Sequence, residues 1–208
     1  RHGCKLATGY MGCTLAWLHH YESLPNDCTA AFIMDYIAAT FATSKIVSSP
    51  SSAASSGIFD IHQQGWDLNS INALGLSSDI FPAIGKATEV LGNLSEEWAT
   101  TMHLPAEIPI FVASGDNQAS FMGTVTDPET QLLINVGTGG QVAMYSETAV
   151  DHPDLEVRPF PMGGYLLVSA GLCGGRSFAE LERFFATTLH DFTGSAPKDN
   201  LFNQMCDL

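Results

Sequence analysis

Residues 108–123 read Ile108-Pro109-Ile110-Phe111-Val112-Ala113-Ser114-Gly115-Asp116-Asn117-Gln118-Ala119-Ser120-Phe121-Met122-Gly123. The first six are apolar and strand-length, and predict a buried strand. Ser114-Gly115 then breaks the run, and the small residues over 117–123 predict a helix. A strand feeding a helix through a tight turn is a building unit of α/β folds, whose ligands gather at the carboxyl ends of the strands. Asp116 stands at such an end, where a carboxylate can act as a general base. The same position suits a helix N-cap, with the side-chain oxygen accepting an amide hydrogen one turn on. The two roles are compatible, although the helix dipole lowers the basicity of a carboxylate held there.

Upstream of this unit, Leu15, Leu18 and Tyr21, with Trp17 beside them, predict a helix over 14–24 that Pro25-Asn26-Asp27 ends. Residues 30–41 are almost all apolar and predict a second, more buried helix. The segment 48–57 is rich in Ser, Ala and Gly. Its composition reads as a flexible linker, and equally as an ordered loop beside a site, because it runs directly into the extended segment Ile58-Phe59-Asp60-Ile61. A short helix over 68–74 and a polar helix over 95–102 follow. Downstream of Asp116, strands are expected over 131–136, 141–145 and 165–169. The last helix, 177–189, carries Phe178, Leu181, Phe184, Phe185 and Leu189 at helical spacing, which assigns them to the core. Strands alternating with helices make the fold class α/β.

Two glycine-rich turns are candidates for nucleotide chemistry. Asn135-Val136-Gly137-Thr138-Gly139-Gly140 lies between two strands. It is either an ordinary hairpin or a phosphate cradle, in which glycines give positive φ and a hydroxyl stands beside exposed amides. Its spacing is not that of a Walker A loop. Gly171-Leu172-Cys173-Gly174-Gly175 opens the last helix, and either admits a nucleotide to the backbone or permits close packing of strand on helix. Cys173 reads as buried rather than nucleophilic.

The 208 residues carry 22 acidic and 8 basic side chains, for a formal charge of −14. Such a balance argues against a nucleic-acid groove or an anionic membrane surface as partner. An anionic substrate would need backbone amides, a metal ion or a few local cations. The five cysteines (Cys4, Cys13, Cys28, Cys173, Cys206) form no CxxC pair, which points to free thiols in a reducing compartment. His19, His20 and His62 have no metal-binding spacing, so no protein metal site is assigned. No apolar run reaches the roughly 18 residues that a membrane helix needs, and no signal-peptide pattern is seen, so a cytoplasmic location is expected. The chain begins at Arg1 and ends at Leu208, just after the polar run 195–200. Both ends read as cuts within a longer protein.

Taken in order, these segments resemble the FGGY family of carbohydrate kinases. The resemblance rests on Gly115-Asp116-Asn117-Gln118-Ala119-Ser120-Phe121-Met122-Gly123, on Asn135-Val136-Gly137-Thr138-Gly139 some twenty residues later, and on Ser169-Ala170-Gly171 with Gly174-Gly175 beyond. Ile33-Met34-Asp35-Tyr36 and Ala53-Ala54-Ser55-Ser56-Gly57-Ile58-Phe59-Asp60-Ile61 extend it upstream. Thr8-Gly9-Tyr10 with Gly12-Cys13-Thr14, and Ala53-Ala54-Ser55, are most similar to the sedoheptulokinases, and pentulose kinases share most of these features.

The resemblance implies an actin-like (ribonuclease H-like) ATPase fold, here partial and spanning a domain junction. Residues 1–124 would close the sugar-binding domain and 125–208 would open the nucleotide-binding domain. It further implies Asp116 as the general base for phosphorylation of a ketose, with Asn117, Gln118 and Tyr10 near the sugar hydroxyls. Gly137, Thr138, Gly139 and Gly175 would lie against ATP, with Mg²⁺ as cofactor. The expected partner is a small sugar, with a homodimer left open as the assembly. The family's amino-terminal phosphate motif and its adenosine-packing Gly-Gly segment are absent from this sequence, so the 208 residues alone are not expected to turn over efficiently. Pro50 departs from the acidic or polar residue that many members carry. The competing readings are a catalytically inactive sugar-binding or regulatory relative, and a different actin-like ATPase.

Overall fold

The computed structural model describes residues 6–25, 27–195 and 201–206. Cys4, Asn26 and most of the polar run 195–200 lie outside the described residues, as do both chain ends.

Helix α1 (Met11–His20) begins and ends earlier than the expected 14–24. Its exit is set by Glu22, which takes a left-handed backbone (φ 53°), rather than by Pro25. Gly12 lets this helix lie directly on the chain beneath, because a Cβ there would sit 2.8 Å from the Leu6 side chain and 2.9 Å from that of Ile58. Helix α2 (Ile33–Ala42) corrects the expectation of a deeply buried element: Ile33 and Tyr36 are exposed, and the inward face consists of Asp35, Ala38 and Ala39.

The linker reading of 48–57 is also overturned. The segment forms strand β1 (Val47–Ser48), helix α3 (Pro50–Ala53) and a 3₁₀ turn (Ala54–Ser56). Ser48, Ser49, Ser51, Ser52 and Ser56 are buried. Their hydroxyls find partners inside the protein, which removes the cost of leaving water. The Ser49 hydroxyl caps α3 by accepting from the Ser52 amide and also bonds Ser51 and Ser52. Pro50 occupies the first helical position, where no amide donor is required.

A short antiparallel pair, β2 (Phe59–Asp60) with β3 (Gly65–Trp66), leads to helix α4 (Leu68–Ala73), capped by Asp67. Strand β4 (Ala83–Ile84) pairs in parallel with β1. Strands β5 (Val90–Asn93) and β6 (Pro109–Phe111) are antiparallel and flank helix α5 (Glu96–Met102), which Ser95 caps. Strand β6 is shorter and less buried than 108–113 predicts: Phe111 is exposed, while Val112 is buried.

Helix α6 (Asp116–Thr124) leads into an antiparallel sheet of β7 (Leu132–Val136), β8 (Gly139–Ser146), β9 (Glu156–Pro159) and β10 (Tyr165–Cys173), in the order β7-β8-β10-β9. Period-2 alternation sorts its residues between two cores. Ala143, Leu166 and Val168 pack with Phe121 of α6 and with Phe160. Val157 and Leu167 face the other way, against Ala53, Ala54, Phe59 and Ile61. The sheet is thereby clamped between α6 and the α3 region. On that second face, Leu132, Ile134, Val136 and Met144 remain exposed.

Helix α7 (Gly175–Thr193) has no buried residue. Assignment of its apolar residues to the core is therefore corrected: Leu181, Phe184, Phe185 and Leu189 are exposed, and Phe178 is half-buried against Phe202 of helix α8 (Leu201–Cys206). Cys173 is likewise exposed rather than buried, because β10 has by then run past the core. Cys13, Cys28, Cys173 and Cys206 are free thiols.

Candidate active site

Helix α6 begins one residue earlier than expected, so Gly115 is its N-cap and Asp116 its first helical residue. Asp116 is thus not the N-cap, which is a correction. Its Oδ1 accepts the Asn117 amide at 2.7 Å, and its Oδ2 has no hydrogen bond among the described residues. The side chain is exposed. The turn that carries it is tied to α3: the Ser51 hydroxyl lies 3.3 Å from that of Ser114 and accepts, at 3.5 Å, from the Gly115 amide. A Cβ on Gly115 would lie 2.4 Å from the buried Gln118 carboxamide oxygen, so that side-chain end would have to move.

Asp116 opens onto a cleft of about 570 Å³. Tyr10 and Gln118 line the same cleft, so three of the four residues assigned to sugar and catalysis come together. Asn117 does not line it. It is buried, with its Nδ2 donating to Gln141 Oε1 at 3.1 Å and its Oδ1 without a partner. Gln141 does line the cleft, as do Ser51, Ser55, Glu156 and Arg158. Sequence reasoning had assigned none of these five to the site. The reading of 48–57 as an ordered loop beside a site named no serine in particular, and Glu156 and Arg158 lie on β9, which no strand pattern announced.

Gly137, Thr138, Gly139 and Gly175 do not line this cleft. Gly137-Thr138 turns β7 into β8 as a hairpin, closed by the Gly137 amide donating to the Gly139 carbonyl at 2.8 Å. Neither Gly137 nor Gly139 has a positive φ, so the expected reason for those glycines is corrected. A Cβ on Gly137 or Gly139 would meet nothing nearer than 3.9 or 3.6 Å, and the close approach is made at Gly174. A Cβ on Gly174 would stand 2.6 Å from the Gly137 carbonyl oxygen and 2.7 Å from that of Gly139. The Gly175 amide donates to the Gly137 carbonyl at 2.8 Å, and the Arg176 amide to the Thr138 carbonyl at 3.2 Å. The two glycine turns are therefore one unit, with Thr138 exposed at its apex. Its distance from the cleft follows from strand geometry: Gln141 stands two residues along β8 from Gly139, about 7 Å at the usual rise.

Asp35 lies behind the cleft wall, next to Met34, which lines it. Burial pushes its carboxyl up from the usual 3.8 to about 6, against the opposing effects of hydrogen bonds from Ser48 and the Phe32 backbone. The folded state therefore holds this proton more tightly than the unfolded chain does. Stability from this group is complete below about pH 3.8 and is lost as pH rises through about 6. Asp35→Asn, which keeps an acceptor for Ser48, is expected to flatten that part of the stability profile and to melt higher than wild type at pH 7. Melting curves of the full-length protein between about pH 4 and 7 check this. A variant that tracks the wild type in parallel, or melts lower throughout, would contradict it.

The sequence model of the FGGY family of carbohydrate kinases, N-terminal domain, matches residues 1–123. This chain belongs to the FGGY family. It is 27% identical over 211 residues to the sedoheptulokinase of Homo sapiens, covering 97% of this chain and 43% of that protein. It is also 27% identical over 149 residues to the autoinducer-2 kinase of Salmonella typhimurium, covering 71% of this chain and 28% of that one. Among solved structures, the xylulose kinase of Rhodospirillum rubrum superimposes with a TM-score of 0.79 at 18% identity, over 96% of this chain and 40% of that one. The fold is the actin-like fold of FGGY kinases, and the chain spans less than half the length of these relatives. Among the described residues no helix is long and apolar enough to cross a membrane.

Proposed function

We propose that the full-length protein transfers the γ-phosphoryl group of ATP to a hydroxyl of a ketose, of sedoheptulose or pentulose type, with Asp116 as general base. The observation that carries this reading is the exposed carboxylate at the start of α6, on a turn that Ser51 ties to α3, at the mouth of a cleft. As the hydroxyl oxygen attacks the γ-phosphorus, Asp116 takes its proton through the oxygen left without a partner. The bond to the bridging oxygen breaks, and ADP leaves with the electron pair. Tyr10 and Gln118 orient the sugar, while Asn117 acts through Gln141 by fixing its carboxamide. The Thr138 hydroxyl and the backbone of the Gly137-Thr138-Gly139 turn face the transferring phosphoryl group. Gly175 supports that turn, because its amide is engaged by Gly137.

Residues 1–124 belong, in this reading, to the sugar-binding half and 125–208 to the nucleotide-binding half. The exposed apolar residues of β7 and α7 support the second assignment, since such faces need covering by further chain. Among the described residues, no group of three or more His, Cys, Asp or Glu could hold a metal. Mg²⁺ bound with a nucleotide is held largely by phosphate oxygens and waters, so the reading needs no preformed metal cluster in the chain. When bound, the ion neutralises charge on the transferring group. A cytoplasmic location completes the reading, with the assembly left open. Mass spectrometry of full-length protein with MgATP and a panel of ketoses tests it. A ketose gaining one phosphoryl group for each ADP formed is expected. ADP formation indifferent to every ketose would overturn the assignment.

A further inference from the structure

Glu156 and Arg158 stand two residues apart on edge strand β9, so their side chains share a face of the sheet. That face is the one on which Leu166 and Val168, their partners across the β9–β10 ladder, pack with Phe121 of α6. The pair therefore lines the cleft together with Asp116. Arg158 Nε and Nη2 both donate to a single carboxylate oxygen, Glu156 Oε2, at 3.1 and 2.6 Å. Both side chains are substantially shielded from water, at 20% and 33% exposure. Among the described residues, Arg158 Nη1 and Glu156 Oε1 make no hydrogen bond. The two residues thus hold each other in place and keep donors and an acceptor in reserve.

We infer that the Glu156–Arg158 pair is a specificity element that recognises hydroxyls of the sugar chain distant from the one that is phosphorylated. The pair is neutral overall and offers both donor and acceptor, which suits a polyol, whose every hydroxyl is both. The remaining charge in the cleft is the Asp116 carboxylate, which disfavours an acidic sugar. On this inference the pair distinguishes a long ketose, which extends along the cleft, from a three-carbon one. This inference rests on the kinase reading above.

Steady-state kinetics of full-length enzyme on dihydroxyacetone, xylulose and sedoheptulose, for wild type, Arg158→Met and Glu156→Gln, test it. Loss of a hydrogen bond to a charged group corresponds to roughly 10- to 100-fold. Arg158→Met is expected to raise KM for the longest accepted ketose by about that factor, with kcat changed less than about threefold and the three-carbon ketose unaffected. Glu156→Gln, which keeps the shape and an acceptor, should give a smaller change of the same pattern. An equal loss on all three substrates, or none on any, would overturn the inference. A wild-type enzyme that phosphorylates no ketose would instead defeat the kinase reading, so the two failures are distinguishable. Unchanged melting temperatures of the variants separate recognition from folding.

Discussion

Asp116→Asn in the full-length enzyme is expected to lower kcat by about 10²- to 10⁴-fold, the usual contribution of a positioned general base. Asparagine is nearly isosteric, and its oxygen can still accept the Asn117 amide, so the start of α6 should persist. Nothing else in the fold depends on the carboxylate: the side chain is exposed and makes no ion pair among the described residues. Melting within a degree or two of wild type is therefore expected alongside the lost rate. Asp116→Ala should lose at least as much rate. Retention of most of the turnover by either variant would remove Asp116 from the chemistry.

Gly174→Ala should be the most damaging small substitution in the joined glycine turns. The new methyl group would sit 2.6–2.7 Å from backbone atoms of Gly137 and Gly139, and backbone cannot swing away as a side-chain end can. Overpacking of this kind costs roughly 1–3 kcal/mol where the surroundings must shift. Relief would require separating the two turns, which breaks the bonds from the Gly175 and Arg176 amides and moves Thr138. A rise in KM for ATP of at least about tenfold is expected, with ketose affinity nearly unchanged. Substitution at Gly171, where a Cβ would meet nothing within 4 Å but φ is +75°, gives a contrasting case in which strain acts without a clash. Equal nucleotide kinetics for Gly174→Ala and wild type would show that the joined turns have no part in holding ATP.

The strand–turn–helix around Asp116 and the strands on either side of Gly137 were legible because local pattern and tertiary role agree there. Apolar runs of strand length, broken by glycine, form strands here, although β6 is shorter and less buried than its run predicts. The serine-rich segment 48–57 left two readings open, a linker and an ordered loop beside a site, because composition reports only the average fate of small polar residues; the structure takes the second. Here their hydroxyls are satisfied by one another and by backbone in the interior. Helix α7 failed in the opposite sense. Its apolar periodicity is genuine, but periodicity says only that a face will be covered, and beyond the contact of Phe178 with Phe202 the described residues leave that face exposed. Tyr10, Asp116 and Gln118, which share the cleft, were singled out through motif order. Gln141, Glu156 and Arg158 reach the cleft only through strand register, which a single sequence does not reveal.

Binding and turnover measured together on Asp116→Asn test most directly whether this cleft is where a sugar hydroxyl is activated. Calorimetric titration with the preferred ketose, alongside ketose-dependent ADP release, separates the two. A dissociation constant within about threefold of wild type, with ADP release reduced at least about 100-fold, is the result expected of a general base. Ketose-dependent ADP release at the wild-type rate would contradict it.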